Sequence, residues 1–250
     1  MKPSKFRSVV DDVIGGVVPN DSVAWHTMIA ESFSSKYRTK PAFIERMSVW
    51  SRLIKLHFSA NDHVLDLGCG SGEFSLIAST TCKHVIGVDG SLKMLGIGKL
   101  EANRLAIKNV TFQYADLNHQ DLSTISPADG ILLSSVLEYL EDPLAFMKNV
   151  ELLMLPGSRI ILSVPNRSSI YRMIESISYR FFRFPRYRRY VKTILTLEEM
   201  TGIFEAINLT VIESQYYGKA PFIGSFLRKL GLNRFSDTLI VIVAEHRGVS

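Results

Sequence analysis

Residues 64–72 read Val-Leu-Asp-Leu-Gly-Cys-Gly-Ser-Gly, and Asp89 follows in Val-Ile-Gly-Val-Asp-Gly, 17 residues past the last of those glycines. A chain with this pairing is tightly constrained. It needs a buried strand, a glycine loop that a ligand can approach closely, and a second strand ending in a carboxylate. That carboxylate is placed to accept from ribose hydroxyls. Gly68, Gly70 and Gly72 lack the Cβ that would block a tight turn or a near contact with a nucleoside.

Two details separate the loop from a dinucleotide site. Asp66 lies inside the first strand, two residues before the glycines, and the loop is Asp-x-Gly-x-Gly-x-Gly rather than Gly-x-Gly-x-x-Gly. A pyrophosphate belongs at a helix N-terminus, where the dipole is positive. An ionised Asp66 would repel it and would attract a cationic ligand. A nucleoside with a sulfonium and an ammonium, S-adenosylmethionine, meets both demands.

The rest of the chain sets the frame. At 250 residues it fits one domain, and no apolar run approaches the ~20 residues of a spanning helix. The longest is Leu239-Ile240-Val241-Ile242-Val243-Ala244, which is strand-like. The N-terminus is charged and reads as no secretory signal. Cys69 and Cys82 make no metal pattern, and the expected setting is a reducing cytoplasm. The net charge of +5 is local: residues 1–166 carry 16 Lys/Arg against 17 Asp/Glu, and residues 167–250 carry 13 against 7.

Residues 1–20 are loosely patterned and read as an arm or lid edge. Helical patterns follow over 22–36 and 41–57. In the second, Phe43, Ile44, Met47, Trp50 and Ile54 recur at near-helical spacing, with Arg46, Arg52 and Lys55 between them. Strands are predicted at 63–67, 84–88, 110–114, 129–134, 158–164, 209–217 and 238–245. Helices are predicted at 72–80, 91–106, 141–154 and 197–206. This alternation indicates a parallel α/β sheet covered on both faces. The predicted division is a helical cap or lid over 1–58 and a main domain over 59–250, interrupted by an insertion at 167–195.

The run Val64–Gly72, with the strand ending at Asp89, resembles the class I S-adenosylmethionine-dependent methyltransferases. Further matches follow in order: Tyr114-Ala115-Asp116-Leu117, the segment Ala128–Leu140, and Leu155-Pro156-Gly157-Ser158 leading into Asn166. The resemblance spans about residues 60–166. It implies a Rossmann-like three-layer sandwich with a seven-stranded, mostly parallel sheet and an antiparallel last strand. The nearest look is to the quinone-biosynthesis and small-molecule O-methyltransferases.

The same resemblance assigns cofactor contacts. Asp66 would place the methionine ammonium, and the loop of Gly68, Cys69, Gly70 and Gly72 would line the methionine portion. Asp89, with Gly90 after it, would bind the ribose diol. Ser91, Leu92 and Met94 would flank ribose and adenine, Asp116 and Leu117 would meet the adenine edge, and Ser134 would lie near the methionine tail. Phe33 and Tyr37 would close over the site, or would simply pack their helix onto the core.

Methyl transfer from a sulfonium is mostly alignment, and a base is needed only when the nucleophile holds its proton. Several of the resembled quinone-ring and small-molecule O-methyltransferases carry Leu-Glu-His near the fourth strand; here Leu137-Glu138-Tyr139 stands instead. Glu138 and Tyr139 remain catalytic candidates, with His119 beyond the adenine loop; His26 reads as a solvated histidine. The alternative is that positioning alone suffices. The Asn/Asp-Pro-Pro-Tyr/Phe signature of amide and DNA N-methyltransferases is missing. The acceptor expected is a hydroxyl or amine of a small or lipid-linked molecule. The alternatives are an RNA or protein methyltransferase, or a non-catalytic nucleoside-binding partner subunit.

The insertion holds eight basic residues, one acid and seven aromatics within 167–192. It suits an anionic membrane surface, which would make the protein peripheral at the inner membrane face. It also suits a phosphorylated or carboxylated substrate and, less well, nucleic acid. A purely structural alternative packs Ile170, Met173, Ile174 and Ile177 onto the sheet with arginines facing water.

Overall fold

Strand periodicity dictates the layers. In β1 (His63–Leu67), Leu65 and Leu67 point to one face while Val64 and Asp66 point to the other. The same split recurs in β4 (Ala128–Ser134), where Ile131 and Leu133 oppose Leu132, and in β7 (Asp237–His246), where Ile240 and Ile242 oppose Val241 and Val243. Strands apolar on both faces need cover on both.

The computed structural model describes residues 21–117, 122, 125–220 and 224–248. The expected N-terminal arm and His119 lie outside them. Seven strands form one sheet in the order β3-β2-β1-β4-β5-β7-β6, with β2 His84–Asp89, β3 Val110–Tyr114, β5 Met154–Pro165 and β6 Leu209–Lys219. All neighbours are parallel except that β7 runs antiparallel to both β5 and β6. The predicted reversed last strand is therefore present.

One face is covered by α2 (Pro41–His57), α3 (Glu73–Ala78) and α4 (Leu92–Arg104). Trp50, Leu53 and Ile54 of α2 are fully buried there with Phe74. The other face is covered by α5 (Pro143–Glu151) and α7 (Leu197–Glu205), through Met147, Val150, Met200 and Phe204. The remaining helices, α1 (Ser22–Thr39), α6 (Ile170–Phe182), α8 (Gly224–Lys229) and α9 (Asn233–Ser236), complete the chain. The pair α8 and α9 is absent from the sequence expectation.

Helix ends differ from their predicted bounds for local reasons. Gly72 is left-handed (φ 82°) and so stands outside α3, and a Cβ there would lie 2.6 Å from Phe112 Cζ. Ser91 and Asp142 cap α4 and α5, accepting from Met94 N and Ala145 N, which moves both starts inward. β5 begins early, at Met154, which pairs with Ala128 ahead of a register shift.

Pro165 and Asn166 close β5. The buried Asn166 amide donates to Arg234 O (2.7 Å) and Asp237 O (2.8 Å), fixing the α9–β7 corner. Arg228 joins α2 to β7, donating to Glu45 Oε1 at 2.6 Å and to Asp237 Oδ1 at 2.7 Å.

α6 inverts the amphipathic rule. Its Glu175 is buried, while Met173, Ile174, Ile177, Phe181 and Phe182 are 56–79% exposed. The alternative in which Met173, Ile174 and Ile177 pack onto the sheet is thereby overturned. The inward face is taken by ionic groups: Arg172 Nη1 donates to Glu175 Oε2 at 2.7 Å and to Tyr187 Oη at 2.5 Å, and Tyr187 in turn donates to Glu175 Oε1.

Candidate functional site

The site lies where β1 and β4 diverge, the point at which the connections turn to opposite sides of the sheet. An open α/β sheet has its ligand crevice there. After β1 the chain turns through Gly68 (φ 72°) and Gly70 (φ 55°). A Cβ on Gly68 would sit 2.4 Å from Val136 Cγ2, so that position is closed by the protein itself. A Cβ on Gly70 meets nothing within 4 Å, so Gly70 is the face open to a ligand.

Asp89 at the end of β2 fastens this loop. Its Oδ2 accepts from Gly70 N and its Oδ1 from Ser91 N, both at 2.8 Å. Burial raises its pKa, and the two amide donors pull the other way. Ser91 in turn accepts from Thr27 Oγ1 at 2.7 Å, pinning α1 beside the loop.

Asp66 is fully buried beneath the glycines. Ser75 Oγ donates to its Oδ2 at 2.6 Å, and Oδ1 has no partner. Burial raises its pKa to about 7, opposed by the Ser75 hydroxyl. An unsatisfied carboxylate oxygen in such a position calls for a cationic donor.

A cavity of about 740 Å³ opens above these groups. It is lined by Gly68, Cys69, Gly70, Asp89, Gly90, Met94, Leu117 and Ser134, and by Phe33 and Tyr37 from α1. Most of the predicted cofactor residues thus converge; Asp66 lies beneath this lining, and Leu92, predicted beside the ribose and adenine, is 71% exposed and outside it. Three predicted contacts hold the walls from behind: Gly72 packs on Phe112, Ser91 caps α4, and the half-buried Asp116 precedes Leu117. Burial holds the Cys69 thiol well above its ordinary range.

Sequence reading missed Arg46. Its guanidinium lies over the Phe74 ring (5.6 Å), which stacks on Trp50 at 4.4 Å. Arg46 Nη2 donates to Ser134 Oγ at 2.5 Å, and Nε has no partner. The signal was spacing: Arg46 stands three residues after Phe43 and four before Trp50, hence on their face of α2.

Beyond Ser134 the chain enters a short 3-10 turn, Leu137–Tyr139. Glu138 is 4% exposed, and its Oε2 is buried without a partner. Burial raises its pKa to about 7, while Arg46 and Arg172 draw it down. The Glu138 carbonyl accepts from Lys192 N (2.7 Å) and Thr193 N (3.3 Å), so the end of the insertion holds this turn. Burial pushes the Tyr139 phenol well above its usual range, which leaves it a donor rather than a base.

His26, on α1, is no solvated histidine. Nδ1–H donates to Ser22 O at 2.7 Å, and the ring meets Tyr139 edge-on at 5.0 Å within the cavity wall. A carbonyl can only accept, so Nε2 carries the lone pair in the neutral ring. Trp25 stacks on Tyr190 at 5.4 Å and ties α1 to the insertion.

The sheet order, the reversed β7, the glycine loop and the two buried carboxylates define a class I S-adenosylmethionine-dependent methyltransferase. The chain belongs to the methyltransferase domain family, which it matches over residues 38–214. It is 26% identical over 189 residues to the ubiquinone biosynthesis O-methyltransferase of Aeromonas salmonicida (strain A449), covering 74% of this chain and 77% of that protein. Among solved structures it is similar to the N-methyltransferase NodS of Bradyrhizobium japonicum WM9 in complex with S-adenosyl-l-homocysteine, with a TM-score of 0.59, 17% identity, and 87% and 97% of the two chains covered. It is also similar to magnesium protoporphyrin IX methyltransferase of Synechocystis PCC 6803 (TM-score 0.57, 19% identity, 92% and 90% covered).

The cavity fits S-adenosylmethionine. The free oxygen of Asp66 suits an ammonium, Arg46 suits a carboxylate, and Asp89 suits a diol. The open side of Gly70 admits the chain between them.

Proposed function

We propose that the enzyme methylates a hydroxyl of a small-molecule or lipid-linked acceptor, with Glu138 as the proton acceptor. The observation that carries this reading is the unpartnered, buried Oε2 of Glu138 in the cavity wall four residues after Ser134. When bound, S-adenosylmethionine supplies the methyl group on an activated sulfonium. The chain's own task is to align the acceptor and hold its proton. Glu138 accepts that proton as the oxygen attacks. Tyr139 donates a hydrogen bond, and Arg46 and Arg172 keep the neighbouring field positive. The O-methyltransferase named among the relatives supports oxygen over nitrogen.

The apolar outer face of α6, flanked by Arg180 and Arg183, supports contact with an anionic membrane, from which a lipid-linked acceptor would be drawn. No helix among the described residues is long and apolar enough to cross a membrane.

The test is methyl transfer from labelled S-adenosylmethionine into lipid and metabolite extracts, read as a mass gain of one CH₂. Glu138→Gln should lower the rate by roughly 10²–10⁴-fold with cofactor affinity retained. The wild-type rate should rise with pH through about 7 as Glu138 loses its proton. A Gln variant as active as wild type would remove Glu138 from this role. Labelling of amines alone would replace the hydroxyl reading.

A further inference from the structure

We infer that the acceptor carries an anionic group, a carboxylate or a phosphate, that seats on Arg188 at the insertion end of the cavity. The inference rests on the cavity being the acceptor site proposed above, and it adds the acceptor's chemical class.

Arg188 belongs to the short turn Arg186–Arg189 and lines the cavity. Its guanidinium is held from behind: Nη2 donates to Ser176 Oγ at 3.2 Å, and that hydroxyl donates to Arg172 O at 2.8 Å. Its Nε is buried and has no hydrogen-bond partner. A charged donor buried in this way is costly unless something pairs with it.

Among the described residues no carboxylate bonds to Arg188. Both oxygens of Glu175 are already taken, Oε2 by Arg172 and Oε1 by Tyr187. The neighbours of Arg188 in the chain, Phe184, Pro185 and Val191, add apolar lining to the same cavity. Arg188 therefore brings to this end of the cavity a positive charge that no described carboxylate pairs with. The sulfonium of the cofactor would add a second positive charge.

A planar guanidinium matches carboxylate and phosphate oxygens, and an apolar wall suits the body of the molecule that bears them. An acceptor with its anion on Arg188 is held at one end while its hydroxyl reaches toward Glu138. The positive field also favours loss of the hydroxyl proton.

The experiment uses the full chain saturated with S-adenosylhomocysteine, titrated calorimetrically with benzoate, phenyl phosphate, inorganic phosphate and neutral benzyl alcohol. The expected result is that benzoate or phenyl phosphate binds at one site and more tightly than benzyl alcohol. Arg188→Gln should weaken that anion by about tenfold or more, and Arg188→Lys by less, with S-adenosylhomocysteine affinity unchanged in both. Preference for benzoate assigns a carboxylate; preference for phenyl phosphate or inorganic phosphate assigns a phosphate. Anions that bind no better than benzyl alcohol, or that bind the Gln and Lys variants as tightly as wild type, would overturn the inference and leave the cofactor site standing. Absence of S-adenosylhomocysteine binding would instead bring down the parent reading.

Discussion

Asp66 shows how one residue links sequence to ligand choice. Its place before the glycines was legible because an acid there conflicts with a phosphate. Its state was not legible, since that depends on complete burial and on Ser75, nine residues away. With the folded pKa raised to about 7 from about 3.9 in the free chain, the empty site prefers the protonated acid below neutrality. With Asp66 proposed to receive the ammonium, binding requires the carboxylate and would release a proton. S-adenosylmethionine affinity should therefore increase as pH rises from about 6 to 8, and Asp66→Asn should weaken binding and flatten that slope. A slope retained in the variant would assign the proton to another group. Gly68→Ala forces a Cβ to 2.4 Å from Val136 at φ 72°, and a loss of about 1–3 kcal/mol in denaturant unfolding is expected.

At the scale of elements, β1, β4 and β7 followed directly from residue pattern because each is largely apolar on both faces. α6 did not. Its apolar residues have helical spacing, and that spacing is ordinarily a mark of the core. Only the placement of Arg172, Glu175 and Tyr187 beneath the helix turns the stripe outward, and a one-dimensional pattern carries no information on which face meets the protein. The two faces should respond in opposite ways to substitution. Phe181→Ser with Phe182→Ser removes exposed rings and should leave the thermal midpoint within a few degrees, while reducing sedimentation with phosphatidylglycerol vesicles. Glu175→Ala strands the nearly buried Arg172 and should cost about 3–5 kcal/mol. Equal effects of the two changes would refute this division.

Over the whole molecule, the sheet order and the site's location were implied by the alternation of strands and helices. The depth of the cavity was not, because its walls come from segments far apart in the chain: α1, α2, the loops after β1, β2, β3 and β4, the insertion, and parts of β6 and β7. Filling it should therefore stabilise the fold as a unit. S-adenosylhomocysteine at 100 times its Kd should add about 2.7 kcal/mol, raising the midpoint of a domain this size on the order of 5–10 °C. A midpoint that does not move would mean that the ligand binds the unfolded chain equally well or does not bind.

The two amides at Lys192 and Thr193 that clasp the Glu138 carbonyl give the enzyme a mechanical tether. The strip of chain that ends there begins on the outside of the protein, at the exposed rings of α6. Residues 183–191 join the two, so the outer helix and the Glu138 turn are linked by one short stretch of backbone. A displacement of α6 would therefore be felt at the backbone of the turn that carries Glu138.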